Sequence, residues 1–526
     1  MGPLSLCHHL PSCKRVHSIC VDWRWQAIMD IPNLILDIGQ IRSDARNGRL
    51  SVEQLLDIIE KQQQHIKRLA ANERRLIDRL MQYEPQASRE TPTNPAHPTT
   101  PATSYSLDAE TKRRQRRRRK KSPGRQPTEV KFAAAERFQD VYPDGVHRSD
   151  CHLVRERAIW RLEEGQAVRV GYRLFAHPGG TEPHIPGVTP RCEYGIEILV
   201  VLAYLVYLIG ISLDKACAVL GFFCQLPLSK SQAYALLRQL AQHWQGEFDL
   251  LCDLLAHAAV VAMDETGWKV GDQGCSLWAF ASQLHRVFLF GCHKDDATLN
   301  AILPPDVFDG IGVSDDAAVY QNRFTQAQKC WAHLLRKAIK LALLYPSNQK
   351  YQRFLDQLLE IYRDGKRSAS DGRLGEEGRR QRVAELEGRL CELLQRHTWE
   401  TTPEMPPHER DFTNLVNELG RLVMAEELFT FVLEPEVAAT NNLMERELRN
   451  PALERKAGRT NKTAAGAHRR SVIVSVLQSL RVNLDKFNLT TVLKEVGRWM
   501  TEGLSLFAQQ WQTMRANESG AEPNTS

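Results

Sequence analysis

The stretch VVAMDETGW, at residues 260–268, carries two acidic residues directly behind a short apolar run. A run of this length is typical of a buried β-strand. Burying an unpaired carboxylate is costly, so Asp264 requires an ion pair, a backbone cap or a metal ion as its partner. A second short run, GIGVSDD, delivers Asp315 and Asp316 at its end. If the two strands are neighbours in one sheet, their acids lie side by side.

A third acid follows in the segment TNNLMERELRN. Asn441 and Glu445 are four residues apart on one face of a predicted helix, Arg449 extends that face by a turn, and Glu447 points away from it. Three carboxylates provide the oxygen ligands of a two-metal site for Mg²⁺ or Mn²⁺, which cleaves and transfers phosphodiesters. Taken alone, each acid is more typical of a cap or an ion pair. The order strand acid, strand acid, helix acid is what favours the metal site.

Charge along the chain is concentrated in one stretch. The 526 residues include 69 basic and 63 acidic residues, a net charge of +6. Residues 112–125 hold ten of the basic residues and no acidic ones, so the rest of the chain has 59 − 63 = −4. This run favours contact with nucleic acid over a merely solvated surface. The ten cations are Lys112, Arg113, Arg114, Arg116, Arg117, Arg118, Arg119, Lys120, Lys121 and Arg125.

The twelve cysteines show no dense spacing, which indicates reduced thiols in a cytoplasmic, nucleoid-associated protein. The longest apolar run, residues 198–211, falls short of the roughly 20 residues that a membrane span needs. We therefore expect a buried helix there and no membrane partner.

The chain divides into several predicted segments. Residues 1–28 lack periodicity and are disordered or a non-native start, with Met29 as the alternative first residue. Residues 29–84 carry a heptad seam over Val52 to Leu80, which predicts a coiled coil and a homodimer or higher oligomer. An amphipathic helix packed on its own protein is the alternative. Residues 85–128 are a flexible linker that carries the basic run.

The next segments are more ordered. Residues 129–195 form a small β-containing region, because residues 151–175 alternate as in a β-hairpin. Residues 196–257 are helical, with Ser229 as a helix cap. They fit either a helix-turn-helix that reads DNA or plain helical packing. After them, AAVVAMD, SLWAFAS and RVFLFGC predict a meander of three strands.

Four stretches in this order, VVAMDETGW, VSDDAAVYQ, KCWAHLLRKA and TNNLMERELRNPALERK, resemble the insertion-sequence transposases of family sixty-six. The resemblance covers most of residues 130–485. It implies an α/β ribonuclease H-like catalytic domain with an Asp, Asp, Glu triad. That domain comprises residues 258–336 and 438–485. A helical insertion at 337–437 interrupts it, and a C-terminal helix and tail at 486–526 follow it.

Carried over by position, the triad consists of Asp264, Asp315 and Glu445, which are the implied catalytic residues and metal ligands. Asp315 is preferred over Asp316 because the family places a tyrosine five residues after the acid, and Tyr320 stands there. The implied activity is cleavage at the ends of a mobile element and transfer of the 3′-hydroxyl into target DNA. The partners are double-stranded DNA and helper proteins of the same element. The alternatives are a non-catalytic DNA-binding protein and a nuclease that does not join ends.

Two further motifs belong to the resemblance. Cys330 and His333 match a Cys-x-x-His signature, which is either a packed structural motif or a way for His333 and Arg336 to approach DNA phosphates. Arg449 and Lys456 are further candidates for DNA contact. Family members often carry a four-cysteine zinc segment, for which this chain offers only Cys151, His152 and Cys192, and this makes a structural zinc ion doubtful.

Overall fold

The computed structural model describes residues 126–519. The predicted coiled coil, the basic run at residues 112–125 and the segment 1–28 lie outside the described residues. None of the helices within residues 126–519 is both long enough and apolar enough to cross a membrane.

A small sheet opens the described chain. Helix α1 spans Thr128–Ala133, and strands β1, β2 and β3 span Arg137–Val141, His152–Glu163 and Gln166–Ala176. Strands β2 and β3 form the predicted hairpin, with β1 parallel to β3 on its other side. The two turn residues, Glu164 and Gly165, have φ of 49° and 83°. Positive φ at both positions characterises the tight turn whose twist matches that of a hairpin.

A helical block follows the small sheet. Helices α2, α3, α4 and α5 span Ile196–Ala203, Leu213–Phe223, Lys230–His243 and Gln245–Ala256. The apolar run at 198–211 forms the buried helix α2, which continues into a π-helical turn at Tyr204–Leu208. Ser229 caps α4 as predicted, in a reciprocal capping box with Gln232. A DNA-reading role for α3 and α4 stays a prediction.

The central sheet has five strands in the order β6-β5-β4-β7-β8. They span Val260–Val270 (β4), Gln273–Ala281 (β5), Arg286–Cys292 (β6), Ile311–Ser314 (β7) and Gln326–Lys329 (β8). Helix α6, Asp296–Asn300, follows β6. Strands β4, β5 and β6 form the predicted antiparallel meander, whereas β4, β7 and β8 run parallel.

One expectation about β4 is wrong. We expected the strand to end at Asp264, but it continues to Val270. The reason is that its two edges have different partners. Pairing with β7 is recorded only from Val260 to Ala262, whereas pairing with β5 extends to Val270 opposite Gln273. Asp264 therefore lies near the middle of β4, just beyond the paired segment of β7.

The chain between the second and third acids is helical. Helices α7 to α11 span Trp331–Leu344, Gln349–Ser370, Glu376–Gln395, Pro407–Met424 and Thr430–Leu433. They share their own apolar core, in which Phe354, Leu390, Phe412 and Leu419 are almost fully buried. Because α7 begins at Trp331, the helical segment starts six residues before the predicted boundary at 337.

Four helices close the described chain, namely α12 (Asn442–Lys456), α13 (Ala464–Asn483), α14 (Leu489–Glu502) and α15 (Leu506–Ser519). The predicted single helix after residue 486 is thus a pair, because Gly503 at φ 67° ends α14.

Helix α13 covers the edge strand β6. The side chains of Ser471, Ser475 and Ser479 accept hydrogen bonds from alternate backbone N–H groups of β6. Four residues of helix rise about 6 Å and two residues of strand about 6.7 Å, so the two spacings match. The serines thereby satisfy the donors that an edge strand leaves unpaired.

Candidate active site

The two strand acids lie at equivalent positions of neighbouring strands. The last backbone pair of β4 and β7 is Ala262 with Val313; Asp264 lies two residues farther along β4, and Asp315 directly follows the end of β7 at Ser314. Alternate residues of a strand share a face, so Asp264 lies on the face of Ala262. One oxygen of each acid accepts a backbone hydrogen bond, from Glu265 N–H at 2.8 Å and from Ala317 N–H at 3.0 Å.

The third acid reaches this region through the start of α12. Asn441, at the N-terminus of the helix, is buried, and its side-chain amide donates to the carbonyl oxygen of Met263 at 2.7 Å. Its backbone N–H donates to Cys330 Sγ at 3.1 Å. Met263 precedes Asp264, so these bonds anchor the helix beside β4. Glu445 lies in the first turn of that helix.

The Cys-x-x-His segment contacts the third acid. Cys330 is buried against Asn441, as a packed structural motif requires. One turn along α7, Arg336 donates to Glu445 Oε1, and His333 Nε2 lies 3.9 Å from the same oxygen. In this structure, therefore, the Glu445 carboxylate is paired with α7. An approach of His333 and Arg336 to DNA phosphates stays a prediction.

Electrostatic repulsion is concentrated on Asp264. Burial raises the pKa of the Asp264 carboxyl to about 7, and the negative charges of Glu265, Asp315 and Glu445 contribute to the rise. Asp264 is thus within electrostatic reach of these three carboxylates.

The donor chemistry suits a hard cation. Carboxylate oxygens are the ligands that Mg²⁺ and Mn²⁺ prefer, and a divalent ion would relieve the repulsion around Asp264. Across residues 126–519, however, no three His, Cys, Asp or Glu side chains converge tightly enough to hold a metal ion. Glu445 is engaged with Arg336 instead. A role for Glu445 as a metal ligand stays a prediction.

The acids that we did not select have other partners. Asp316 pairs with Arg421 of α10, and Glu447 lies 3.6 Å from the buried Arg286 of β6. Glu447 thus forms an ion pair between α12 and strand β6, whereas Glu445 forms one between α12 and α7. Arg449 and Lys456 are exposed on α12, and their contact with DNA stays a prediction.

Sequence reasoning missed one group of residues beside the acids. Glu265 is almost fully buried, with one carboxylate oxygen on Lys294 Nζ and the other on the Tyr320 hydroxyl. Burial raises the pKa of Tyr320, so the hydroxyl keeps its proton and donates it. Burial alone would lower the pKa of Lys294, but Glu265, Asp315 and Asp264 raise it, so the ammonium stays charged.

A signal for Lys294 was available in the sequence. Two successive antiparallel pairings make β6 parallel to β4, so both strands run toward the same edge of the sheet. Lys294 stands two residues after the end of β6. Asp315 was selected because it follows a short strand, and the same rule would have selected Lys294.

Comparison with known proteins agrees with this architecture of acids on a mixed sheet and a following helix. A family model described as "Transposase IS66 family" matches residues 191–469, which include all three acids and the helices between them. The match covers more than half of the chain, and the chain belongs to the IS66 family of transposases. The comparison with curated proteins found no matching sequence. Family membership supports a role as a transposase, a class of protein that acts on DNA.

Proposed function

We propose that the chain is a DDE-type DNA transposase in which Asp264, Asp315 and Glu445 form the metal-binding triad. The observation that carries this proposal is the position of Asp264 on β4 and of Asp315 directly after the adjacent parallel strand β7, with the helix of Glu445 hydrogen-bonded to Met263. A sheet of three antiparallel strands followed by two parallel strands supports a ribonuclease H-like catalytic domain. The matched family supports the reaction class.

The residues of the site have separate tasks in this mechanism. Two Mg²⁺ or Mn²⁺ ions, when bound, activate the attacking hydroxyl group and stabilise the leaving oxygen. Asp264 would lose its proton when a divalent ion binds, because the ion's charge offsets the burial and repulsion that raise the pKa of this carboxyl. Glu445 turns from Arg336 toward the strand acids, and Arg336 is then free for a DNA phosphate. In strand transfer the element's 3′-oxygen forms a new bond to a target phosphorus, the bond from that phosphorus to the target's own 3′-oxygen breaks, and that oxygen leaves as a hydroxyl group.

The remaining parts of the proposed transposase hold and assemble DNA. The basic run at residues 112–125 binds duplex phosphates without reading sequence. Arg449 and Lys456, exposed on the helix that carries Glu445, bind phosphates near the reacting strand. The heptad seam at 29–84 pairs two or more copies, so that two element ends are held in one complex.

The test uses a duplex that carries the DNA sequences flanking the gene of this protein. Asp264→Asn, Asp315→Asn and Glu445→Gln should each abolish Mg²⁺-dependent cleavage and leave the Kd for DNA within about twofold, because none removes a phosphate-binding cation. Asp316→Asn and Glu447→Gln are the matched controls and should retain cleavage. Cleavage that persists in the three variants, or in the presence of a chelator, would refute the two-metal triad. Joining of pre-cleaved ends separates a transposase from a nuclease.

A further inference from the structure

Glu265 and its two partners are the strongest feature that the triad leaves unexplained. The Glu265 side chain is 7% exposed, yet it is not one of the three acids. One oxygen accepts from Lys294 Nζ and the other from the fully buried Tyr320 hydroxyl. A buried carboxylate with both oxygens occupied is well placed to orient a partner, because its own rotation is restricted.

The backbone around Lys294 is also fixed. The indole N–H of Trp278 donates to the carbonyl oxygen of His293 at 2.9 Å. On the other side, the Asp295 side chain caps helix α6 by accepting from Thr298 N–H at 2.9 Å. Trp278 lies directly opposite Glu265 in the β4–β5 pairing. The same two strands therefore hold both the lysine and the carboxylate that orients it.

The ammonium group of Lys294 is not itself enclosed. Its side chain is 48% exposed, whereas Glu265 beneath it is buried. The negatively charged groups that act on it are Glu265, Asp315 and Asp264, two of which belong to the triad. Lys294 is thus within electrostatic reach of two triad acids as well as paired with Glu265.

We propose that Lys294 binds a non-bridging oxygen of the scissile phosphate, and that Glu265 and Tyr320 are its positioning residues. This inference rests on the proposed transposase function. A phosphodiester brings negative charge close to carboxylates that are already there. A fixed cation within electrostatic reach of those carboxylates offsets the repulsion. A pre-positioned charge stabilises the transition state without reorganisation at the moment of reaction.

The test compares Lys294→Gln and Lys294→Arg with Lys269→Gln, which removes an exposed lysine from the same strand as Glu265. At saturating DNA, Lys294→Gln should slow cleavage by on the order of 100-fold. Its Kd for DNA should change by less than about threefold, because one of many cations is lost. Lys294→Arg should recover part of the rate. Equal cleavage by Lys294→Gln and Lys269→Gln would overturn the proposal, whereas no cleavage by the wild type would refute the proposed function instead.

Mn²⁺ binding to the DNA-free protein separates this role from a structural one. Loss of a cation near Asp264 and Asp315 should leave Mn²⁺ affinity equal or higher in Lys294→Gln, although cleavage falls. A parallel loss of Mn²⁺ affinity would assign Lys294 a structural role and overturn the proposal.

A double variant tests the positioning residues. Tyr320→Phe removes the hydroxyl that holds Glu265, so cleavage should fall by about tenfold through a misplaced lysine. Adding Tyr320→Phe to Lys294→Gln should then cost nothing further, since residues that act through one another are not additive. Full additivity of the two changes would contradict the role of Tyr320 as a positioning residue.

Discussion

Replacing Asp264 by asparagine should stabilise the metal-free protein. The folded-state pKa of Asp264 is about 7 and the reference value is 3.8, a difference of about 3 pH units. At 1.36 kcal/mol for each unit, ionised Asp264 costs the folded state up to about 4 kcal/mol. The side chain of asparagine resembles the uncharged acid and retains the oxygen that accepts from Glu265 N–H.

The sign of the pH dependence follows from the same values. Between pH 4 and pH 7 the folded state holds the Asp264 proton that the unfolded state has lost, so stability falls as pH rises through this window. Asp264→Asn should therefore gain about 4 kcal/mol over the wild type at pH 7.5, and less than about 2 kcal/mol at pH 5.

Urea unfolding with excess chelator measures this difference, and the buried Trp268 and Trp278 report on the sheet that carries the acid. Asp272→Asn removes the same charge from an exposed turn and is the matched control. Mn²⁺ at 100 times its Kd should narrow the difference at pH 7.5 to about 1 kcal/mol, since it adds about 2.7 kcal/mol to the wild type alone. An Asp264→Asn protein that is no more stable than the wild type at pH 7.5 would refute the reasoning.

Three further outcomes are expected. Arg336→Gln should tighten Mn²⁺ binding, measured by calorimetry, because it frees Glu445. Lys337→Gln, which loses a pair with Glu418, should leave Mn²⁺ affinity unchanged. Equal Mn²⁺ affinities of the two variants would contradict this expectation. Glu447→Gln should lower the free energy of unfolding in urea by about 2 to 3 kcal/mol, because it leaves Arg286 buried without its charge partner. Glu376→Gln, in an exposed pair, should lower it by less than about 1 kcal/mol. The ten cations of residues 112–125 are replaced by glutamine in the last test. If half of them contact phosphates, the slope of log affinity for DNA against log salt concentration should become shallower by about 4 to 5. An unchanged slope would show that the run does not bind DNA.

The elements near the acids could be read from the sequence because their signals are local. The apolar runs before Asp264 and Asp315 predicted two strands, and the three-strand meander followed from the spacing of polar turns. That the two acid-bearing strands are neighbours was an assumption, and the parallel register of β4 and β7 confirmed it. The length of β4 could not be read in this way, because its second half depends on pairing with β5.

The contacts of the site depend on tertiary packing and could not be predicted. Arg336 and Glu445 are 109 residues apart, and no local pattern relates α7 to the first turn of α12. Glu265 looked like a second acid of the same kind as Asp264. Alternation along β4 separates the two side chains, so Glu265 meets Tyr320 and Lys294 instead.

The helices between the second and third acids are part of how the site is built. Asp315 and Glu445 are 130 residues apart in the chain, a distance that would suggest separate regions. Helix α7 nevertheless brings Arg336 to Glu445, and α10 brings Arg421 to Asp316. Cys330, directly before α7, accepts from the residue that begins the helix of Glu445. Removing these helices would leave Glu445 without Arg336 and Asp316 without Arg421, so the segment supports the region of the acids as the strands do.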